Sequence, residues 1–224
     1  MSSARDSVRA LVRAYLRRRY TILFYTLVFT LLSAPVLSAL KFSGTLLESL
    51  LATSLLAAIL PVTAVRSRAY LLLAVGLFWL ARPVTVWLDH LVLSAIALGI
   101  WTLIGLAAAA AALRYAMRAG QVDAEHLYAA LSAYLLAGLY FGLLYWVLEG
   151  VSPGTFTVTA HFSQTSAIYF SFVTLATLGY GDIAPRADVA RGLAIVEGVG
   201  GQLFLAVLVA RLVSLYSKPG NPSG

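Results

Sequence analysis

Long apolar runs separated by short polar segments dominate the chain. Six of these runs reach or approach the roughly 20 residues that a helix needs to cross the hydrocarbon core of a bilayer. They predict six transmembrane helices, near residues 20–40, 46–65, 70–87, 91–113, 127–148 and 189–216. The third run is interrupted by Arg82 and Pro83, and a proline inside a helix removes a hydrogen bond and usually bends the helix.

A shorter apolar stretch, residues 167–178, lies between the fifth and sixth runs. It cannot cross the bilayer, so a segment that enters and leaves on the same side is the expected arrangement. The pattern therefore predicts an all-α integral membrane protein with six transmembrane helices and a re-entrant segment between helices 5 and 6.

The N-terminal residues 1–19 have a different periodicity, typical of an amphipathic helix at the membrane surface. Apolar side chains recur at helical spacing, and Arg9, Arg13 and Arg17 lie four residues apart, which makes anionic lipid the expected contact. A plain topology anchor without a regulatory role is the alternative. An arginine-rich start before an apolar run also imitates a secretion signal, but the length of the run favours a retained helix.

Composition and charge support this topology. Hydrophobic residues make up 61% of the 224 residues and charged residues 11%, more apolar surface than a soluble domain of this size can bury. With the N-terminus inside, most of the 16 basic residues fall on the cytoplasmic side, as the positive-inside rule requires. The net charge of +7 therefore indicates topology rather than nucleic-acid binding. We expect a multi-pass protein of the plasma (inner) membrane with both termini cytoplasmic.

Five segments follow from these boundaries. They are the interfacial helix 1–19, a four-helix membrane domain 20–113, a cytoplasmic linker 114–125, a pore domain 126–216 and a short tail 217–224. In the linker, Asp123 is placed to cap the fifth helix.

The chemistry lies in the run Thr177, Leu178, Gly179, Tyr180, Gly181 and Asp182. An ion crossing the bilayer must exchange its water shell for protein oxygens, and stacked rings of backbone carbonyls with one ring of threonine hydroxyls supply them. Successive carbonyls point the same way only if the backbone alternates between left- and right-handed conformations, and glycine enters the left-handed region freely. One such strand per chain predicts that four copies surround the ion path.

At these residues the sequence resembles the pore-loop potassium channels, whose filters read T-V-G-Y-G-D or close variants. The resemblance covers residues 127–216 and implies a prokaryotic-type six-transmembrane subunit in a homotetramer. Potassium ions would bind at Thr177, Leu178, Gly179 and Tyr180, below an outer mouth marked by Asp182. An ordinary tight turn in an outer loop is the structural alternative.

The resemblance also assigns supporting roles around the filter. Val173 stands where some bacterial relatives carry a glutamate, so Asp182 needs another partner, and the resemblance places Tyr169 to donate to it. Glu197 is an acidic residue at membrane depth and therefore a functional candidate. It is expected to brace the filter, with proton uptake or a solvated position as alternatives.

The sixth helix contains the gating candidates. Gly198, Gly200 and Gly201 are hinge candidates by the resemblance, with close packing as the alternative. An apolar constriction that closes the pore is predicted at Phe204, Leu205, Leu208 and Leu212.

The fourth predicted helix, residues 91–113, contains no charged residue, so steep voltage gating of the charged-helix type is not expected. His161 is either an external pH sensor or a solvated loop residue. The absence of cysteines excludes disulfides and thiolate metal sites.

The sequence contains no catalytic constellation, so the prediction is a non-enzyme without cofactors that conducts K⁺ passively. A weakly selective cation channel, or a channel-like subunit of a potassium uptake system, is the alternative, and a non-conducting membrane scaffold is a third reading. Three identical subunits and membrane lipids are the expected partners, nucleic acid is not expected, and an unidentified regulatory partner stays open.

Overall fold

The computed structural model describes residues 18–39, 76, 91–118, 123–158 and 162–216. The elements of these ranges are α1 (Arg19–Ala39), α2 (Leu91–Arg118), α3 (Ala124–Val151), β1 (Phe156–Val158), α4 (Gln164–Leu175), β2 (Ile183–Pro185) and α5 (Asp188–Tyr216). The second predicted span lies outside the described residues, and so does the third except for residue 76. So do Arg9, Arg13, Arg17, His161 and the tail 217–224.

Within the described part of the chain, three helical stretches are long and apolar enough to cross a membrane: Ala95–Arg118, Ala124–Val151 and Asp188–Ser214. The apolar part of α1, Arg19–Ser33, is shorter. The protein is therefore mostly helical with membrane-spanning segments, and the total of six crossings stays a prediction.

The helix α3 is the centre of the packing and contacts α1, α2, α4 and α5. Its glycines let neighbouring helices approach closely, since a Cβ on Gly142 would lie 2.6 Å from the Ile168 Cα, and one on Gly138 would lie 2.6 Å from the Phe172 ring. Lipid-embedded helices have no hydrophobic drive to associate, so close van der Waals contact of this kind holds them together. These glycines allow α4 to pack closely against α3.

The start of α1, the end of α2 and the start of α3 meet in one polar cluster. The Glu125 carboxylate accepts hydrogen bonds from the backbone N–H groups of Tyr20 at 3.0 Å and Thr21 at 3.3 Å, and from the Thr21 hydroxyl. The Tyr115 ring stacks on both Tyr20 and His126, with centroids 4.6 and 4.7 Å apart. Glu125 thus pairs backbone N–H groups at the start of α1 that have no partner inside their own helix.

The helices extend beyond the predicted spans around the linker. The prediction placed a linker over residues 114–125, whereas α2 continues to Arg118 and α3 begins at Ala124. Hydropathy marks where lipid contact ends, but backbone hydrogen bonding continues past that border because arginine and alanine are good helix formers. As expected, Asp123 is the N-cap of α3, and its side chain accepts from the His126 N–H at 3.0 Å.

The structure adds one element that was not predicted to the mostly helical fold, because β1 and β2 form a two-stranded antiparallel sheet. Phe156 pairs with Pro185 and Val158 with Ile183. Glu149, near the end of α3, holds the preceding turn by accepting from the N–H groups of Gly154 at 2.8 Å and Phe156 at 3.0 Å. The sheet joins the loop after α3 to the strand that follows residue 182.

Candidate functional site

The helix α4 is short because its sequence defines both ends. Ser163 is its N-cap, and its hydroxyl accepts from the Ser166 N–H at 3.1 Å, which pairs one of the free N–H groups of the first turn. Ala167 and Ile168 are buried and fix the helix against its neighbours.

The C-terminal end of α4 forms a Schellman motif. The Leu178 N–H donates to the Val173 carbonyl at 2.9 Å, and the Thr177 N–H donates to the Thr174 carbonyl at 3.0 Å. In this motif the residue after the C-cap adopts the left-handed conformation, and this residue is usually a glycine. Here that position is Thr177, with φ of 56°, so the helix end sets the direction in which the candidate filter strand leaves.

Left-handed and ordinary backbone conformations alternate along residues 177–181. Thr177, Gly179 and Gly181 have φ of 56°, 58° and 80°, whereas the residues between them have negative φ. Glycine takes these values without steric cost, but a β-branched residue at positive φ is an outlier. The sequence predicted the left-handed conformation for the two glycines but not for Thr177.

Two tyrosines lie side by side near the C-terminal end of this strand. The rings of Tyr169 and Tyr180 are nearly parallel, with centroids 6.5 Å apart, and the Tyr169 hydroxyl lies near the Asp182 carboxylate. Val173 is buried one turn further along α4. The structure thus brings the predicted mouth residue and its predicted donor together.

Glu197 lies behind α4 in a fully buried polar network. It is 1% exposed, and its Oε2 accepts from the Tyr145 hydroxyl at 2.7 Å. Its Oε1 contacts the Ser171 hydroxyl, which lies 2.6 Å from the Gly138 carbonyl oxygen. Glu197 therefore connects α5 to both α4 and α3, and the solvated position considered for it is wrong.

The three hinge candidates of α5 have different surroundings. A Cβ on Gly201 would lie 2.8 Å from the Leu175 carbonyl oxygen, whereas one on Gly198 would make only ordinary contact and one on Gly200 would meet nothing within 4 Å in the single chain. Gly200 and Gly201 border a cavity of about 350 Å³ between α2, α3 and α5. Gly201 thus has the close contact with α4 that the packing alternative describes.

The four constriction candidates of α5 differ in how far the single chain covers them. Phe204 and Leu208 pack against the buried core around α3, and the Phe204 ring lies 5.7 Å from that of Tyr134. Leu205 is exposed in the single chain, and Leu212 is half-buried. Among the four candidates, Leu205 is the most exposed in the single chain.

Sequence reasoning missed three polar residues near the site. Ser171 and Tyr145 bind Glu197, and the Gln202 Nε2 lies 3.5 Å from the Thr177 Oγ1 as its hydrogen-bond donor. The signal for Gln202 was available, because a polar side chain inside an apolar membrane helix is a functional candidate. Ser171 and Tyr145 had no comparable signal, since their role depends on contacts across helices.

Comparisons with known proteins agree with this placement. Residues 131–218, less than half of the chain, match a family model described as "Ion channel". The chain is 33% identical over 90 residues to the inward rectifier potassium channel Kirbac3.1 of Paramagnetospirillum magnetotacticum, which is 38% of this chain and 28% of that protein. It is 37% identical over 83 residues to the two pore potassium channel c of Oryza sativa subsp. japonica, which is 36% of this chain and 18% of that protein.

A further match is protein LctB of Bacillus caldotenax, which is 29% identical over 100 residues, 42% of this chain and 74% of that protein. The match thus spans under a third of the length of the first two relatives. No solved structure matches the chain significantly. The matched region contains α4, the strand with alternating φ and α5, and over these residues the chain is similar to pore-loop potassium channels.

Proposed function

We propose that this chain is a subunit of a potassium-selective channel in which four copies surround one ion path lined by residues 177–181. Potassium ions would bind the carbonyl oxygens of this strand and the Thr177 hydroxyl, and Asp182 would raise the local cation concentration at the outer mouth. The ion is the permeant substrate, and no cofactor or catalytic step is required.

The alternation of φ at Thr177, Gly179 and Gly181 is the observation that carries the proposal. In an ordinary extended strand, successive carbonyls point to opposite sides. Alternation between left- and right-handed conformations turns them all to one side, which produces the column of oxygens that a dehydrated ion needs. A tight turn in an outer loop needs no such repeat.

The homotetramer follows from the number of oxygens. One strand supplies a single carbonyl oxygen at each height along the ion path. A ring of oxygens around the ion therefore requires further copies of the strand around an axis. The helix α5 supports this arrangement, since Ile195, Val199 and Leu203 are exposed in the single chain and leave apolar surface for other subunits and lipid. We place the tetramer in the cell membrane with both termini cytoplasmic.

Gating in this proposal does not use a charged voltage-sensing helix. The basic residues of α2 are Arg114 and Arg118, both near its C-terminal end, where the positive-inside rule accounts for them. A voltage sensor needs several charges within the membrane field, because each gains only about 2.3 kcal/mol per 100 mV.

The test is potassium and sodium flux through the purified full-length protein in liposomes. We expect wild-type protein to pass K⁺ and to exclude Na⁺. Gly179→Ala forces a Cβ into the left-handed region at φ of 58°, at a cost of about 1–2 kcal/mol, and should abolish selective flux. Equal Na⁺ and K⁺ flux through wild-type protein would instead indicate the weakly selective channel.

Gly154→Ala is the matched control, because Gly154 also has positive φ, 86°, and also has no atom within 4 Å of a Cβ. It lies in the turn before β1, away from the strand. The control should lose comparable stability and keep its K⁺ selectivity. If both variants lose selectivity equally, backbone strain alone explains the effect, and the assignment of residues 177–181 fails.

A further inference from the structure

Side chains from three helices meet behind α4 with almost no access to solvent. They are Glu197 of α5, Ser171 of α4 and Tyr145 of α3, with exposures of 1%, 0% and 0%. The Gly138 carbonyl of α3 completes the group. A buried polar network of this kind is stable only if every member has a partner of the right type.

Counting the hydrogens shows that an ionised Glu197 leaves one contact without a proton. The Ser171 hydroxyl has a single hydrogen but faces two oxygens, the Gly138 carbonyl at 2.6 Å and the Glu197 Oε1. A carbonyl and a carboxylate only accept. The Tyr145 hydroxyl uses its hydrogen on the Glu197 Oε2 at 2.7 Å. Three oxygen–oxygen contacts therefore share two hydrogens unless Glu197 supplies the third.

We infer that Glu197 is a neutral carboxylic acid in the folded protein and donates its proton to Ser171, which in turn donates to the Gly138 carbonyl. This chain of hydrogen bonds ties α5 to α4 and α3. Glu197 is then a positioning residue for α4 and, through it, for the strand that begins at Thr177. That last step rests on the proposed function, whereas the protonation state does not.

The surroundings of Glu197 favour the neutral form. Burial of a lone charge at membrane depth is costly, and among the described residues Glu197 forms no salt bridge with a basic side chain. The titratable groups that face it are Tyr145 and Tyr134, both from α3. The α2 and α4 residues that share its cavity, such as Leu106 and Leu175, are apolar.

Infrared difference spectroscopy on the full-length protein at neutral pH tests the protonation directly. The wild-type spectrum minus that of Glu197→Gln should contain the carbonyl stretch of a protonated carboxyl group. Glu149→Gln is the control, because Glu149 only accepts hydrogen bonds from backbone N–H groups and should contribute a carboxylate band. A carboxylate band from Glu197 would overturn the inference, even if the protein passes no ions.

Substitution and pH test the positioning role. Glu197→Gln keeps a donor for Ser171 and an acceptor for Tyr145, so its K⁺ flux and melting temperature should equal those of wild type. Glu197→Leu leaves buried partners unpaired and should lower the melting temperature by about 2–10 °C. Alkaline pH should reduce K⁺ flux through wild type and leave flux through Glu197→Gln unaffected. Because both proteins contain Tyr145 and Tyr134, ionisation of these tyrosines cannot explain the difference. Equal damage from Gln and Leu would overturn the role.

Discussion

The side chain that Gly201 lacks would occupy the same space as Leu175. A Cβ built on Gly201 would lie 2.7 Å from the Leu175 Cδ1 and 2.8 Å from its carbonyl oxygen. Leu175 is the last residue of α4, so this contact sets the distance between α5 and the helix that positions the candidate filter.

Gly201→Ala should therefore destabilise the protein. Because the backbone oxygen of Leu175 cannot move without shifting the end of α4, we expect a cost of about 1–3 kcal/mol, seen as a lower melting temperature and reduced K⁺ flux. Gly200→Ala is the control, since a Cβ there meets nothing within 4 Å in the single chain. If Gly200→Ala alters gating and Gly201→Ala does not, the result would favour Gly200 as the hinge instead.

Thr177 combines a strained backbone with the hydroxyl that the proposed innermost ion site requires. Its φ of 56° costs a non-glycine residue about 1–3 kcal/mol. Thr177→Gly removes this strain, so it should fold at least as well as wild type, yet it also removes the hydroxyl. We expect weaker block of K⁺ flux by Ba²⁺, a divalent ion close to K⁺ in size, whereas Thr177→Ser should retain the block. Identical Ba²⁺ block in the two variants would contradict a hydroxyl site at this position.

Gln202 should influence the same site through its contact with the Thr177 hydroxyl. A neutral hydrogen bond contributes about 0.5–1.5 kcal/mol, so Gln202→Met should change the Ba²⁺ concentration for half-block by about two- to tenfold. Leu203→Met introduces the same side chain at the neighbouring exposed position and should leave the block unchanged. If the two methionine variants show the same half-blocking Ba²⁺ concentration, Gln202 does not help to position Thr177.

The N-cap of α3 should make stability depend on pH. The N–H of His126 donates to Asp123, and this hydrogen bond is the main cause that lowers the pKa of Asp123. The contribution of a carboxylate with a lowered pKa is fully present above its unfolded value of about 3.9 and is lost as pH falls through the folded value.

Asp123→Ala should cost about 0.5–2 kcal/mol near neutral pH. Asp123→Asn keeps a capping oxygen without the charge, so its melting temperature should lack the acid-dependent drop that this residue causes in wild type. Thermal melts of the three proteins between neutral pH and pH of about 3 measure this. Parallel curves for wild type and Asp123→Asn would show that the cap does not depend on ionisation.

The local parts of the site could be predicted from sequence because their signals are local. Ser163 and Asp123 precede helices as capping residues do, and Gly179 and Gly181 belong to a run in which only glycine avoids strain. The long apolar runs located α3 and α5 for the same reason, since a helix across lipid needs about 20 apolar residues.

Contacts across the chain could not be predicted in this way. Glu125 binds Thr21 from 104 residues away, and Ser171 and Tyr145 bind Glu197 only because α3, α4 and α5 pack together. The strands β1 and β2 are three residues each, too short for an alternating pattern to be recognised. Thr177 escaped notice because its left-handed conformation follows from the end of α4 rather than from the preference of threonine.

The Schellman motif and the small sheet anchor opposite ends of the candidate filter strand by unrelated interactions. One end depends on hydrogen bonds to Val173 and Thr174, and the other on pairing of β2 with β1, which Glu149 supports. Substitutions in β1 should therefore act first on the end of the strand at Asp182, and substitutions in the last turn of α4 should act first on the end at Thr177. The surroundings of either end can therefore be changed by substitution while residues 177–181 and the anchor at the other end stay the same.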